Sequence, residues 1–461
     1  MLKAEVPTID TQGYKIVEGC ELMVKGWKRY MVNEMDGTID GQGLGLVARR
    51  KHSGVKTRAG CCLTLALSTW FSLAGAMSPP YEMGTWPAFR SAALSFTFDD
   101  SCSNQFVLAI PMFDRAGFKL TLFSCTGTMF AGWPALQDAA ARGHEVASHT
   151  VTHVSLGGLA DAQQIAELKN SQDAINANVT TQRCVTLAYP FCVQGKDALT
   201  AQYYVAARTC SGQIVPSTPA NFMSISSYVC GPAGSVQTLQ NFTSLANSAA
   251  ASKGWCVFLI HGIDSDGGYS PLPSATLQQT VNYFGTNQNK FWVQTFGNVV
   301  RYIQERNAVA VGETGNDGNR ISLQVTNSLD SAVFNYPITL RRPLPAGWPG
   351  AAVSQNNQRV PAQMLYVGST NCVMFDVVPN GGEVVLAKEV LPVTLSNPAL
   401  NTPTSFNLRL EGQAGARYAI QASSNLVNWS PVQTNTLVSA ATNLTLPALE
   451  ALRYYRAQWA P

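Results

Sequence analysis

At 461 residues the chain exceeds one ordinary domain and should divide into two or three. Apolar residues make up 46% of it, enough for real cores, while charged residues reach only 13%, against roughly 25% in an average soluble protein. The formal charge is +3, with no basic stripe and no interleaving of basic and aromatic residues, so neither nucleic acid nor an anionic membrane surface is indicated as a partner.

The positive excess sits at the start. Residues 1–76 hold 10 Lys/Arg and 7 Asp/Glu, leaving 21 of each beyond (31 − 10 and 28 − 7). In the run ARRKHSGVKTRAGCCLTLALSTWFSLAGAM, five basic residues from Arg49 to Arg58 precede an apolar stretch from Cys61 to Leu73, and Ala74, Gly75 and Ala76 follow. That pattern predicts a secretory signal at about 48–76. The apolar stretch is shorter than the roughly 20 residues a membrane span needs. The remainder of 1–76 reads as an N-terminal extension or an over-long start. The expected location is secreted, periplasmic or cell-surface in a bacterium, with no membrane span in the mature chain. Eight cysteines lie beyond residue 76; an even number in an exported chain permits disulfides without assigning pairs. No CxxC pair occurs, which argues against thiolate zinc sites.

From 77 to 308 short apolar runs alternate with amphipathic ones. LSFTFDD, KLTLF, HEVASH, CVTLAYP, YYVAART, WCVFLIHG and FWVQTF read as strands, and the segments between most of them carry helical periodicity. About seven such units predict an α/β domain, a distorted parallel (β/α)7-type barrel. Polar residues at the C-terminal ends of barrel strands are catalytic candidates. Asp99 and Asp100 end the first strand, His149 the third and His261 a later one. His149 and His153 with Asp100 offer a three-ligand site for Zn²⁺, with Co²⁺ or Ni²⁺ as alternatives. Asp99 then stands close enough to take a proton from a metal-bound water. A lone H-x-x-x-H fits a solvated helix turn equally well; the joint occurrence with Asp-Asp and His261 carries the reading.

At these residues the sequence resembles the polysaccharide deacetylase family, carbohydrate esterase family four, over about 92–306. Thr97-Phe98-Asp99-Asp100 matches its first motif, His149-Thr150-Val151-Thr152-His153 its second and Leu259-Ile260-His261 its fifth. The resemblance implies Asp99 as general base, Asp100, His149 and His153 as metal ligands, Thr150 as a brace, and His261 as general acid. The third motif departs from the commoner pattern: in Leu187-Ala188-Tyr189-Pro190-Phe191-Cys192 an alanine stands at the arginine position and Phe191 at the tyrosine position. A Tyr-Pro-aromatic version resembles the branch acting on poly-N-acetylglucosamine. The role carried to Phe191 is a backbone N–H that stabilises the oxyanion. Arg208 is the candidate to orient Asp99 in place of the missing arginine, a structural ion pair being the alternative. The fourth motif has no clear match; Asp264 or Asp266 could tune His261, but an ordinary Asp/Gly turn is the better reading of both. Tyr189, Tyr269, Trp292 and Trp133 are candidates for a sugar-lined groove, although core packing explains aromatics as well.

Beyond Val309 the text turns to short alternating runs broken by Gly, Pro and Asn, predicting two small all-β sandwich-like modules at 309–392 and 403–461 around a linker, LSNPALNTPTSF. The C-terminal module resembles the small fibronectin-like type. Contact with polysaccharide or cell wall through these modules is an expectation resting weakly on Trp429 and Trp459. The implied function is removal of acetyl groups, N-acetyl favoured, from a polysaccharide or oligosaccharide such as poly-N-acetylglucosamine, chitin or peptidoglycan. Two alternatives stay open: an O-acetyl xylan esterase using the same groups, and an inactive carbohydrate-binding barrel.

Overall fold

The structure, a computed structural model, describes residues 15–17, 21–23, 80–128, 131–389, 393–414, 417–447 and 453–459. The proposed signal at 48–76, and the extension before it apart from two three-residue strands, lie outside the described residues. Among the described residues no helix is long and apolar enough to cross a membrane.

Eight parallel strands form the first sheet: β1 Ala92–Asp99, β2 Thr121–Ser124, β3 Glu145–Ser148, β4 Thr186–Ala188, β5 Ala206–Arg208, β6 Tyr228–Val229, β7 Trp255–Ile260 and β8 Phe291–Val293. Their spatial order is β5-β4-β3-β2-β1-β7-β6, with β8 beside the start of β1. A bridge from Arg208 to Ile225 ties the outer edge of β5 to the chain entering β6, so the sheet curls into a distorted barrel. All seven strands read from sequence are present; the two-residue β6 was too short to leave a pattern. Helices α1 Ile110–Arg115, α2 Gly132–Ala141, α3 Asp161–Asn178, α4 Asp197–Thr200, α5 Leu239–Ala251, α6 Ser274–Thr286 and α7 Phe296–Ala308 run between and after the strands.

β1 shows why the strands read as near-continuous apolar runs. Leu94, Phe96 and Phe98 face the helices, where they pack with Phe113, Phe258 and Phe284, while Ser95 and Thr97 on the other face bond Gln294 O and Phe258 O. Both faces are covered, as in other parallel sheets. Register then sets the rim. Phe98 pairs with Ile260, Asp99 with Phe123, Ser124 with Ser148 and Ala188 with Arg208, which brings Asp99, His149, Arg208 and His261 to one end of the barrel.

The first β-module packs directly on the barrel. Trp86, Trp255, Phe296 and Tyr302 share a buried cluster with Ile321, Leu323, Ile338 and Phe375. The dipeptide Glu82–Met83, counted from sequence with the barrel, instead pairs with Ile338–Pro343 as part of that module. Ala310–Asn316 and Ala351–Gln355 are strands that the sequence reading missed; the first carries Gly312, Gly315 and a bulge that break its alternation. The expected linker is also corrected. Thr394–Thr402 is a strand that turns tightly at 403–404 into Ser405–Glu411. It lies at a sheet edge, where Pro398 removes no needed ladder donor. The last module gathers its own cluster around Phe406, Leu408, Tyr418 and Tyr455. Lys15–Val17 and Glu21–Met23 extend its second sheet through Leu22 opposite Tyr455.

Candidate active site

The end of β1 carries two carboxylates that face different partners. Asp99 is buried and its Oδ2 accepts from Arg208 Nη2 at 2.5 Å. The guanidinium lies over the Phe123 ring, 5.1 Å from its centroid, and reaches Ser227 Oγ at 3.4 Å. Burial acts to raise the Asp99 pKa, but the charges of Arg208, His149 and His261 outweigh it and hold the carboxyl below its usual range. Arg208 thus stands where it can orient Asp99, coming from β5 rather than from the third motif. Asp99 Oδ1 has no hydrogen-bond partner among the described residues.

Asp100 turns the other way. With Ser101 it takes positive φ, 70° and 55°, a conformation disfavoured for residues with a Cβ, and its carboxylate meets the histidines of the loop after β3. Asp100 Oδ1 is 3.7 Å from His149 Nε2 and 3.5 Å from His153 Nε2. Three donors each about 2.1 Å from a zinc ion in tetrahedral array stand about 3.4 Å apart. The donor set Asp100, His149 and His153, with ligand atoms within 4.8 Å of one another, therefore fits a divalent cation with coordination positions left open. The tautomer fits too: His149 Nδ1 donates to Ala188 O at 2.8 Å, which leaves Nε2 as the ligand atom. Burial holds the His149 imidazole below its ordinary pKa against the pull of Asp99 and Asp100.

The histidine loop is braced from outside the motifs. Thr150 Oγ1 accepts from His153 N at 3.2 Å. Glu167 of α3 accepts from the backbone of Val151 and Thr152 at 2.8 and 2.9 Å and from Thr152 Oγ1. Gln105 donates through Nε2 to Asp99 O at 2.5 Å and His261 O at 2.9 Å, clamping the ends of β1 and β7 together. Glu167 and Gln105 escaped the sequence reading: a glutamate on the polar helix α3 looks like a solvated face, and a lone glutamine before the apolar run Phe106–Ala109 carries no spacing to read.

His261 Nε2 lies 3.9 Å from Asp99 Oδ2, and its ring meets Tyr269 edge-on at 5.0 Å. The loop places Tyr269 there because Gly268 passes so close to Gly262 and Cys102 that a Cβ would stand 2.6 to 2.7 Å from them. His261 Nδ1 is buried without a partner among the described residues. Of the two readings of Asp264 and Asp266 the structure supports the turn: Asp264 accepts from Ser274 N and Asp266 from Gly268 N and Asn104 N. Each does the work of an Asp in a turn.

On the far wall Phe191 is 66% exposed and packs its ring edge on His153, centroids 4.7 Å apart. A cavity of about 450 Å³ runs between, lined by Asp99, Asp100, His149, His153, His261 and Tyr269 among others. Tyr189 borders it, but its hydroxyl is turned away to Thr200 Oγ1. Trp292 does not reach this cavity: its strand pairs with the start of β1, and its ring packs with Trp86, Tyr302 and Tyr336 in the barrel floor. Trp133 packs against the outer core. The cysteine pairing that sequence left open is Cys192–Cys210, both cysteines bordering the cavity. The other described cysteines are buried thiols.

Comparison with known proteins adds a family. The polysaccharide deacetylase model matches residues 88–208. A gellan lyase from a Bacillus species is 27% identical over 345 residues, covering 70% of this chain and 14% of that protein. YxkH of Bacillus subtilis strain 168, provisionally named a polysaccharide deacetylase, is 27% identical over 109 residues, 23% of this chain and 39% of that protein. The chain thus spans well under half the length of either curated relative. Among solved structures, the Xyl-CE4 domain of a multidomain xylanase from the hindgut metagenome of Trinervitermes trinervoides is 18% identical, covers 45% of this chain and 90% of that one, and gives a TM-score of 0.33. Peptidoglycan deacetylase PdaC from Bacillus subtilis is 13% identical, covers 47% and 92%, and gives 0.31. The stretch that matches the polysaccharide deacetylase model, residues 88–208, is the one that holds Asp99, Asp100, His149 and His153.

Proposed function

We propose that the protein is an exported, metal-dependent hydrolase that removes acetyl groups, N-acetyl favoured, from a polysaccharide or oligosaccharide such as poly-N-acetylglucosamine, chitin or peptidoglycan. The observation that carries this reading is the convergence of Asp100, His149 and His153 with Asp99 and His261 on one cavity. Asp100, His149 and His153 would hold the cation. When bound, a divalent cation there supplies Lewis acidity toward water and the acetyl carbonyl. The disulfide favours an oxidising compartment and so supports export.

The chain's own groups divide the remaining work. Asp99, kept ionised by Arg208, accepts the proton of the attacking water through Oδ1, which has no partner among the described residues. Phe191 borders the cavity, and its backbone N–H would donate to the oxyanion that develops on the acetyl carbonyl. His261, whose Nε2 lies 3.9 Å from Asp99 Oδ2, delivers a proton to the departing sugar nitrogen. Tyr269, 57% exposed beside His261, and Phe191, beside His153, offer apolar faces to a pyranose ring.

The test is acetate release from acetylated chito-oligosaccharides and acetylxylan, with and without chelator, by wild type and Asp99→Asn. Metal-loaded wild type releasing no more acetate than the variant on every substrate defeats the enzyme reading and leaves the inactive barrel. One observation favours a second reading, the O-acetyl esterase. Among the described residues His261 Nδ1 has no carboxylate partner, and an alcohol leaves with less acid assistance than an amine does. Faster release from acetylxylan than from chito-oligosaccharides would select it.

A further inference from the structure

We propose that the Cys192–Cys210 disulfide is a positioning element for acyl transfer, fixing the Phe191 N–H at the cavity, so that breaking it slows turnover while the metal ligands stay in place. This rests on the deacetylase reading above and names a part that neither the sequence motifs nor the family match supplies.

The half of the turn that carries Phe191 and Cys192 is strained and poorly packed. Phe191 and Cys192 are consecutive left-handed residues, with φ of 55° and 60°, a conformation that β-carbon residues keep only when the surroundings impose it. Within the turn the hydrogen bonds run from Cys192 N–H to Tyr189 O at 3.0 Å and from Val193 N–H to Pro190 O at 3.1 Å, so the Phe191 N–H takes no share in them. Core packing holds the first half of the turn, where Tyr189 and Pro190 are buried, but not the second: the Phe191 ring is mostly exposed and Val193 is 41% exposed. The exposed half is tied down by the covalent link at Cys192. Cys210 lies two residues beyond Arg208 on a well-anchored segment. There Thr209 N donates to Ile225 O at 2.7 Å, and Arg208 O accepts from Tyr189 N at 3.1 Å. With Cα atoms 5.6 Å apart, the disulfide couples the turn bearing the oxyanion donor to the strand whose arginine holds Asp99.

The experiment compares metal-loaded wild type with Cys192→Ser/Cys210→Ser, measuring kcat, KM, bound metal and amide hydrogen exchange over residues 189–193. As a second route, wild type is treated with a phosphine. The S–S bond then accepts two electrons and two protons to give two thiols, and the phosphine becomes its oxide with oxygen from water. The expected result is a fall in kcat of about tenfold or more, a fraction of the roughly 10²–10³-fold seen when an oxyanion donor is removed outright. KM and metal content should stay within about twofold, exchange over 189–193 should quicken, and reoxidation should restore kcat. An unchanged kcat in both the variant and the reduced enzyme overturns the proposal, as does a loss of kcat that follows loss of metal. Unchanged exchange over 189–193 overturns it even if wild type proves inactive; inactivity of metal-loaded wild type separately defeats the deacetylase reading.

Discussion

Replacing Arg208 by methionine removes the only guanidinium that touches Asp99 among the described residues and leaves the carboxylate almost sealed from water. Asp99 and Arg208 side chains are 3% and 1% exposed and meet at 2.5 Å. Removing one member of such a pair costs about 3–5 kcal/mol, because the survivor keeps its desolvation without its counter-charge. Arg208 also packs over Phe123, but methionine retains most of that apolar contact, so the loss is chiefly electrostatic. The expected outcome is that Arg208→Met is destabilised by about 3 kcal/mol or more in urea unfolding, while Arg208→Met/Asp99→Asn recovers a large part of it. A coupling of about 2 kcal/mol or more between the two sites should emerge from the cycle. Additive effects, or an Arg208→Met protein within about 0.5 kcal/mol of wild type, would refute the claim that this pair holds the site.

Glu167→Ala should weaken metal affinity about 10–100-fold by releasing the backbone of Val151 and Thr152, whereas His149→Ala should abolish stoichiometric binding; titration with Zn²⁺ checks both, and an unchanged affinity in Glu167→Ala sinks the brace. Glu305, buried where α7 meets the β-module, has its pKa pushed by burial from 4.5 to about 7, Asn327 Nδ2 donating to it. Since the folded state then binds more protons than the unfolded one between those values, stability should fall by up to about 3 kcal/mol as pH rises through that window. Glu305→Gln should flatten the slope, and equal slopes in unfolding measured from about pH 5 to about pH 8 would contradict it. Tyr269→Ala should raise KM for oligosaccharides several-fold with kcat nearly intact if the ring only supports a sugar; a matching loss in kcat would place it with His261 instead.

The residues proposed to do the chemistry were legible because a metal ligand or a general base must be one of a few residue types, and strand ends expose those types at a readable spacing. Asp99, Asp100, His149 and His261 each follow an apolar run whose length fixes the register. Trp292 misled for the converse reason: an aromatic is equally at home in a groove or a core. Its place near the start of a strand assigned it to the barrel floor, the end where Trp86 and Tyr302 close the core. The linker at 395–406 misled because Pro and Asn are tolerated in an edge strand as readily as in a loop. Glu82–Met83 is two residues long, and no periodicity can be read from two residues.

What stayed hidden has a common physical origin. Asp100, Ser101, Thr150, His153, Phe191 and Cys192 all hold φ between 55° and 70°, at a cost of about 1–2 kcal/mol each for residues with a Cβ. Donor atoms from separate strands converge on one point only if the backbone bends sharply just past each strand, so the strain accompanies the chemistry. The strain persists because other groups over-determine the bends. Glu167 holds the histidine loop, Gln105 clamps Asp99 to His261, Ser124 Oγ accepts from Ser101 Oγ at 2.8 Å, and the disulfide ties the Phe191 turn. Those groups need only offer an acceptor, a donor or a tether at the right place, a requirement that many residue types meet from many positions in a chain. A motif therefore marks the ligands, while the braces that keep them in position become visible only once the fold brings them alongside.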